Sequence, residues 1–201
     1  MEGGVRKVLD FWFGALTSET DFPQDKALMW FGNGADYDDV IREKFSVLHQ
    51  QACENQLQHW QTRADTLLAL MILLDQFSRH IYRNDARSFA QDAKAIKLVK
   101  MGIEQGFDEK LFFVQRKFFY MPLMHAENLA TQELSIKMFT RLRDDVPKQL
   151  KPMYAKTLSF ADSHYYVINR FGRFPELNET LGRESTQQEL EFLATGKYRF
   201  L

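Results

Sequence analysis

Residues 64–83 read ADTLLALMILLDQFSRHIYR. Placed 100° apart around a helix axis, the residues of the first turns are apolar on every side. The apolar run from Leu67 to Leu74 is far shorter than the roughly 20 residues that a membrane-spanning helix needs. The pattern therefore predicts a central helix over about 64–83, buried in the core of a helical domain.

Apolar residues recur with helical spacing through the rest of the chain. We expect N-caps at Asp36 and Ser88, a helix end at Gly106, and a loop over 22–35 that contains one turn around Trp30 and Phe31. Thr186 and Glu189 have the spacing of a capping box before a last helix. The predicted fold is all-α, a single domain over 1–201 with seven or eight helices, whose short connections favour antiparallel neighbours. Further predicted helices have apolar stripes over Val5–Leu16, Tyr37–Ala52 and Phe89–Ile103. Another, over about 126–143, has an apolar row of Ala130, Leu134, Met138 and Leu142, and one more runs over about 151–170.

The amino-acid composition argues against nucleic-acid binding. Among 201 residues, 26 Lys and Arg stand against 27 Asp and Glu, and this balance lacks the basic excess of a nucleic-acid-binding protein. A single cysteine, Cys53, favours a reducing cytoplasm, and residues 1–14 lack the apolar stretch of a signal peptide. We expect a cytoplasmic protein that binds neither nucleic acid nor membrane, and we leave the oligomeric state open.

The far end of the central helix is polar on one side, where Asp75, Gln76, Arg79, His80 and Arg83 fall together. One interpretation is a pocket in which the two arginines bind an anion. The other is an Asp75–Arg79 pair one turn apart, with cations that complement the helix C-terminus. The sequence leaves both open.

Polar residues later in the chain also allow either a ligand-binding or a structural interpretation. His164 is predicted to point inward from an apolar helix face. Glu127 follows His125 closely on a predicted loop, but His-x-Glu matches none of the stronger metal signatures, so we expect no metal and no cofactor. Arg170, Arg173, Asn178 and Arg183 can bind a carboxylate or phosphate, or can satisfy carbonyls at a helix end. Nucleophiles are scarce, since Cys53 has no evident base and His49 and His59 lie in polar, Gln-rich surroundings that predict surface positions.

Several motifs together resemble the bacterial family known as "domain of unknown function nine hundred and twenty-four". They are VLDFWFG at 8–14, LLDQF at 73–77, FFYMPLMHAE at 118–127, RFGRFP at 170–175 and LGREST at 181–186. The resemblance implies antiparallel helix pairs in a tetratricopeptide-like α-α superhelix, and no activity. The matching polar positions, to which the family attaches no roles, are Asp75, Gln76, Arg79, Arg83, Arg116, His125, Glu127, His164, Arg170, Arg173, Asn178 and Arg183.

The chain also departs from that family pattern. It has Ser78 and His80 in the central motif, and Glu176 and Leu177 where the family follows Phe-Pro with His and Arg. Ala126 replaces a common serine, which excludes a nucleophile there. The function predicted from the sequence is a module that binds a protein or peptide. The alternative is a protein or enzyme that binds a small anionic ligand through the matching residues, and a third hypothesis is a structural lock made by the same residues.

Overall fold

The computed structural model describes residues 2–32 and 34–196, and within these ranges every regular element is helical. An all-α fold is therefore confirmed, whereas the tetratricopeptide-like superhelix stays a prediction. Nine α-helices lie in the described ranges when α4, a π-helical turn at Ile72–Phe77 and α5 are counted as one. The helices are α1 (Glu2–Phe13), α2 (Ala27–Phe31), α3 (Asp38–Cys53), α4 (Ala64–Met71), α5 (Ser78–Ile81), α6 (Asp92–Glu104), α7 (Phe113–Met124), α8 (Leu129–Asp145), α9 (Lys151–Phe171) and α10 (Gln187–Ala194).

Contacts within the chain divide it into two compact units, a first unit over Met1–Pro122 and a second unit over Leu123–Leu201. The boundary falls in the last turn of α7. The single domain over 1–201 stays a prediction. No helix in the described part of the chain is long and apolar enough to cross a membrane.

The core of the first unit surrounds α4 and the π turn. Every residue from Leu67 to Leu74 is buried, as predicted for a central helix. At Gly102 of α6 the packing is so close that a Cβ atom would lie 2.5 Å from Phe119 Cζ and 2.8 Å from Leu67 Cδ2. Trp12 packs edge-on against Phe77 and Phe118, with ring centroids 5.5 Å apart in both pairs. The first unit thus has a dense aromatic core.

Several predicted helix ends in the first unit are wrong. α3 begins at Asp38 after Tyr37, because Asp36 lies in a 3-10 turn. α6 begins at Asp92 rather than after Ser88, which lies in another 3-10 turn. By contrast, the turn expected around Trp30 and Phe31 within 22–35 is present, as the short helix α2. The end at Gly106 is confirmed, because its φ of 65° is the left-handed conformation that favours glycine.

The second unit is built on α8 and α9, which run antiparallel and are joined by a five-residue connection. The buried face of α8 is apolar at its C-terminal end but polar at its start, where Thr131, Gln132 and Ser135 are buried. The predicted apolar row is therefore wrong at this end, since Ala130 is exposed and Leu134 is half-buried. α10 begins with the predicted capping box at Thr186 and Glu189.

Candidate functional site

The predicted site residues lie in both units. The first unit holds Asp75, Gln76, Arg79, Arg83 and Arg116. The second unit holds His125, Glu127, His164, Arg170, Arg173, Asn178 and Arg183.

In the first unit, the polar side of the central helix divides into two clusters. The guanidinium of Arg79 donates two hydrogen bonds of 3.0 Å to Asp92 and lies 3.0 Å from Asp75 Oδ1. Burial disfavours the charge of Arg79, but the two carboxylates outweigh burial, so its pKa is raised. Gln76 Nε2 donates to Asp75 Oδ2 at 2.5 Å. This cluster contains the predicted Asp75–Arg79 pair, with Asp92 as an additional partner.

The second cluster forms around Asp38, at the start of α3. Arg83 donates to both oxygens of Asp38 at 2.5 and 2.7 Å, and His80 Nδ1 lies 2.8 Å from Oδ1. The polar side of the central helix is therefore engaged in two sets of ion pairs, one with Asp92 and one with Asp38. The π turn changes the angle per residue, and the helix ends at Ile81 rather than at Arg83.

Arg116 belongs to a third, buried group in α7. Its Nη2 lies 3.5 Å from the hydroxyl of Tyr120, which donates to Asp108 Oδ2 at 2.5 Å. Burial, together with the hydrogen bond to Asp108, raises the pKa of Tyr120. The hydroxyl therefore stays protonated and links the two charged groups.

The surroundings of Cys53 differ from the prediction. His49 is buried rather than at the surface, while His59 is exposed as predicted. Ser78 Oγ donates to Leu74 O at 2.6 Å, so His49 Nε2 donates to Ser78 at 2.8 Å, and the ring lies 3.7 Å from Cys53 Sγ. Burial raises the pKa of the thiol and lowers that of His49. The pair is therefore held neutral, and the thiolate that a nucleophile needs is disfavoured.

An open groove of about 370 Å³ lies in the first unit, between α1 and residues 59–66. Its charged residues are paired with each other, Arg6 with Asp10 and Arg63 with Asp65. None of the predicted site residues lines this groove.

In the second unit, the arginines form a network with carboxylates. Arg183 donates to both oxygens of Glu127 at 2.6 and 2.9 Å, and its Nε donates to Asn178 Oδ1 at 3.0 Å. Arg173 donates to both oxygens of Glu189 at 2.7 and 2.8 Å. The hydrogen bond from Arg173 is the largest of the causes that lower the pKa of Glu189 to about 2. The network ties the segment after α9 to α10 and to Glu127.

Two further predicted site residues, Asn178 and Arg170, differ in their burial. Asn178 is buried, and its Nδ2 donates to Ser185 Oγ at 3.0 Å, inside the network. Arg170 is exposed on α9, with its guanidinium 4.8 Å from the ring centroid of Phe171 and 5.7 Å from that of Phe192. Arg170 thus covers an aromatic surface of the unit.

The two histidines and Glu127 meet around Phe174. His164 is buried as predicted, and its ring centroid lies 6.5 Å from that of His125 and 5.5 Å from that of Phe174. Phe174 N donates to Glu127 Oε1 at 2.7 Å. His164 Nδ1 donates to the carbonyl of Phe160 at 2.7 Å, so in the neutral ring Nε2 is the acceptor.

Three side chains in this unit were missed by the sequence analysis. Gln132 Nε2 donates to the carbonyls of Met124 and Ala126, whereas its Oε1 is buried without a hydrogen bond. The hydroxyl of Ser135, one turn along the same face, is also buried without a hydrogen-bond partner. Both carboxylate oxygens of Glu176 are likewise buried and have no hydrogen-bond partner in another residue. Burial raises the pKa of Glu176, and the charge of Glu127 raises it further.

One signal could have located two of these residues. The buried row of Leu142, Met138 and Phe139 continues backward in steps of three and four onto Ser135 and Gln132. A polar residue on a continued apolar row indicates a buried polar position. Nothing comparable marks Glu176. Among the described residues, no group of three or more His, Cys, Asp or Glu is arranged to hold a metal ion.

Comparison with known proteins gives a family and a structural relative. The family described as "Bacterial protein of unknown function (DUF924)" matches residues 8–197. A solved structure, the protein of unknown function ATU0120 from Agrobacterium tumefaciens, is similar with a TM-score of 0.80 and 32% sequence identity, over 97% of this chain and 99% of that one. No curated protein matches.

Proposed function

Since the chain belongs to the bacterial family of unknown function DUF924, its function has to be inferred from its own side chains, and we propose that it binds a small polar molecule in its second unit. The site consists of His125, Gln132, Ser135, His164 and Glu176, hereafter the α8–α9 site. This is the small-molecule alternative predicted from the sequence, at a location that includes two of the predicted residues.

The observation that carries this proposal is the set of buried polar atoms without hydrogen-bond partners. Gln132 and Ser135 are fully buried, and an unsatisfied buried polar group costs about 1–3 kcal/mol. Native proteins rarely retain such groups unless they serve a purpose. Here the groups belong to one unit. Gln132 bonds to the carbonyls on either side of His125, and Glu176 follows two residues after Phe174, whose ring packs against His164. A ligand that bonds to these groups accounts for the whole set.

Hydrogen bonds hold the backbone around His125 and the ring of His164 in place. Gln132 fixes the backbone on both sides of His125 through the carbonyls of Met124 and Ala126. Phe160 O fixes the ring of His164. Side chains held in this way need no reordering on binding, which favours affinity for a small ligand.

The arginine pairs support a structural lock rather than a ligand clamp. Arg79, Arg173 and Arg183 each donate two parallel hydrogen bonds to a carboxylate, the strongest arrangement open to a guanidinium. An anionic ligand would have to displace these carboxylates. We therefore assign the locking role of the third hypothesis to the arginines and the binding role to the α8–α9 site.

A thermal-shift screen of polar metabolites tests the proposal. We expect at least one compound to raise the melting temperature of the wild type, because a ligand that binds only the folded state stabilises it. The shift should be smaller in Ser135→Ala and unchanged in Ser159→Ala, which removes an exposed serine of α9. An equal shift in both variants, or no shift with any compound, would contradict the proposal.

A second candidate function, the binding of a protein or peptide, is favoured by one observation on α2. Leu28 is 67% exposed and Phe31 is 51% exposed, with Lys117 Nζ 4.0 Å from the ring centroid of Phe31. Exposed apolar side chains beside a cation suit a protein surface. A photo-crosslinker at position 28 should capture a partner that the same crosslinker at the exposed Val47 does not. Equal capture at both positions would remove this candidate.

A further inference from the structure

Two arginines of the second unit, Arg173 and Arg183, are already neutralised by carboxylates. The charge of Arg183 is matched by Glu127, and that of Arg173 by Glu189, each through two hydrogen bonds. The side chain of Glu189 is 3% exposed, which makes displacement of its partner costly. These cations therefore do not supply the donors that an anionic ligand needs.

The hydrogen-bonding capacity that remains is chiefly that of acceptors. The amide nitrogen of Gln132 has two N–H groups, and both are used by Met124 O and Ala126 O. Only its Oε1 remains, and an amide oxygen can only accept. Glu176 adds two carboxylate oxygens, and Ser135 adds a hydroxyl that can accept or donate.

Glu176 also leaves the unit with an unmatched charge. Its carboxylate oxygens are buried and receive no hydrogen bond from another residue, only an interaction with the backbone of Glu176 itself. A buried carboxylate is unfavourable unless it is protonated or meets a cation. The charge of the neighbouring Glu127 disfavours a negative charge on Glu176. Arg183 is paired with Glu127. A bound cation would supply the missing counter-charge.

From these contacts we propose that the α8–α9 site receives the protonated amine of a small organic molecule, with Glu176 as counter-ion and Gln132 Oε1 and Ser135 Oγ as further acceptors. This inference rests on the proposed function and reverses the sign of the ligand predicted from the sequence. An ammonium group has three donors and no acceptor, which complements a set of acceptors. A compact alkylamine or amino alcohol is the class that fits.

Calorimetric titration with charged and neutral probes tests the inference. The probes are 2-aminoethanol and 1,4-diaminobutane as amines, acetate and inorganic phosphate as anions, and acetamide as a neutral amide, all at matched ionic strength. We expect an amine to bind the wild type and to lose at least tenfold in affinity in Glu176→Gln. The control, Glu179→Gln, removes an exposed carboxylate three residues away and should bind the amine unchanged. Should Glu176→Gln fail to fold, Glu176→Leu removes the same charge.

The outcomes separate this inference from the proposal beneath it. An anion or acetamide that binds more tightly than the amines, with affinity lost in Ser135→Ala, would overturn the amine and retain the small-molecule site. Equal amine affinity in the wild type and Glu176→Gln would overturn the role of Glu176. If no probe binds and the metabolite screen gives no shift, the small-molecule site itself is overturned.

Discussion

The two units differ in the kind of buried polar atom that they leave without a partner. In the described part of the first unit, Trp12 Nε1 and Arg79 Nε are donors of this kind, and each belongs to a side chain otherwise packed or ion-paired. In the second unit the corresponding atoms of Gln132 and Glu176 are acceptors. The dense aromatic core of the first unit and the acceptors of the second are the basis on which we propose that binding belongs to the second unit.

The largest expected effect is the loss of the Arg79 pair in the first unit. Arg79→Ala leaves Asp75, whose side chain is 2% exposed, without its cation, and breaking such a buried pair costs about 3–5 kcal/mol. Urea unfolding should show this loss as a lower midpoint. Arg87→Ala, which breaks an exposed pair with Asp85, is the control and should leave the midpoint unchanged. Equal midpoints for both variants would show that the Arg79 pair is no lock.

A substitution at Gly102 tests how closely the core of the first unit is packed. Gly102→Ala places a methyl group 2.5 Å from Phe119 Cζ, and overpacking of a dense core costs about 1–3 kcal/mol. Gly3→Ala in α1 meets nothing within 4 Å and should stabilise its helix slightly. Chemical denaturation of both variants measures the difference. A stable Gly102→Ala would mean that the core is looser than described.

In the second unit, by contrast, a substitution is expected to raise the free energy of unfolding. Ser135→Ala removes a buried hydroxyl without a partner, so unfolding should cost about 1 kcal/mol more than in the wild type. Differential scanning calorimetry should therefore give a higher melting temperature. A lower value would indicate that the hydroxyl is bonded in the native protein and would weaken the contrast between the units.

The last expected effect is a pH dependence with opposite signs at two glutamates. The pKa of Glu189 is lowered to about 2, so its contribution is present above pH 4.5 and is lost as pH falls toward 2. The pKa of Glu176 is raised, so its ionisation lowers the free energy of unfolding as pH rises through 4.5. Glu189→Gln should therefore destabilise at pH 6 more than at pH 3, whereas Glu176→Gln should stabilise more at pH 6. Denaturation midpoints at the two pH values measure both, and the same sign for both variants would contradict the assignment.

Much of the fold could be predicted because it depends on local patterns. The apolar run Leu67–Leu74 indicated a buried helix, and the spacing of Thr186 and Glu189 indicated a cap. The π turn at Ile72–Phe77 could not be predicted, because its changed angle per residue has no sequence signature in the helical wheel.

The candidate site was predicted only in part. His125, Glu127 and His164 were chosen for their chemistry and do meet around Phe174. The partners of the arginines lie up to 56 residues away in sequence, as for Arg183 and Glu127, and such pairing depends on tertiary packing. Charge type alone cannot tell a paired arginine from an available one. The sequence therefore predicted an anion, whereas we propose a cation from the pairing of the arginines.

The ionisation of Glu176 tests the account most directly. In protein labelled with ¹³C at glutamate side chains, the Glu176 carboxyl resonance, assigned with Glu176→Gln, can be titrated with and without 2-aminoethanol. We expect a pKa above 4.5 in the free protein that falls when the amine is added, because the bound cation stabilises the carboxylate. A pKa at or below 4.5 in the free protein, or one that the amine leaves unchanged, would contradict the account.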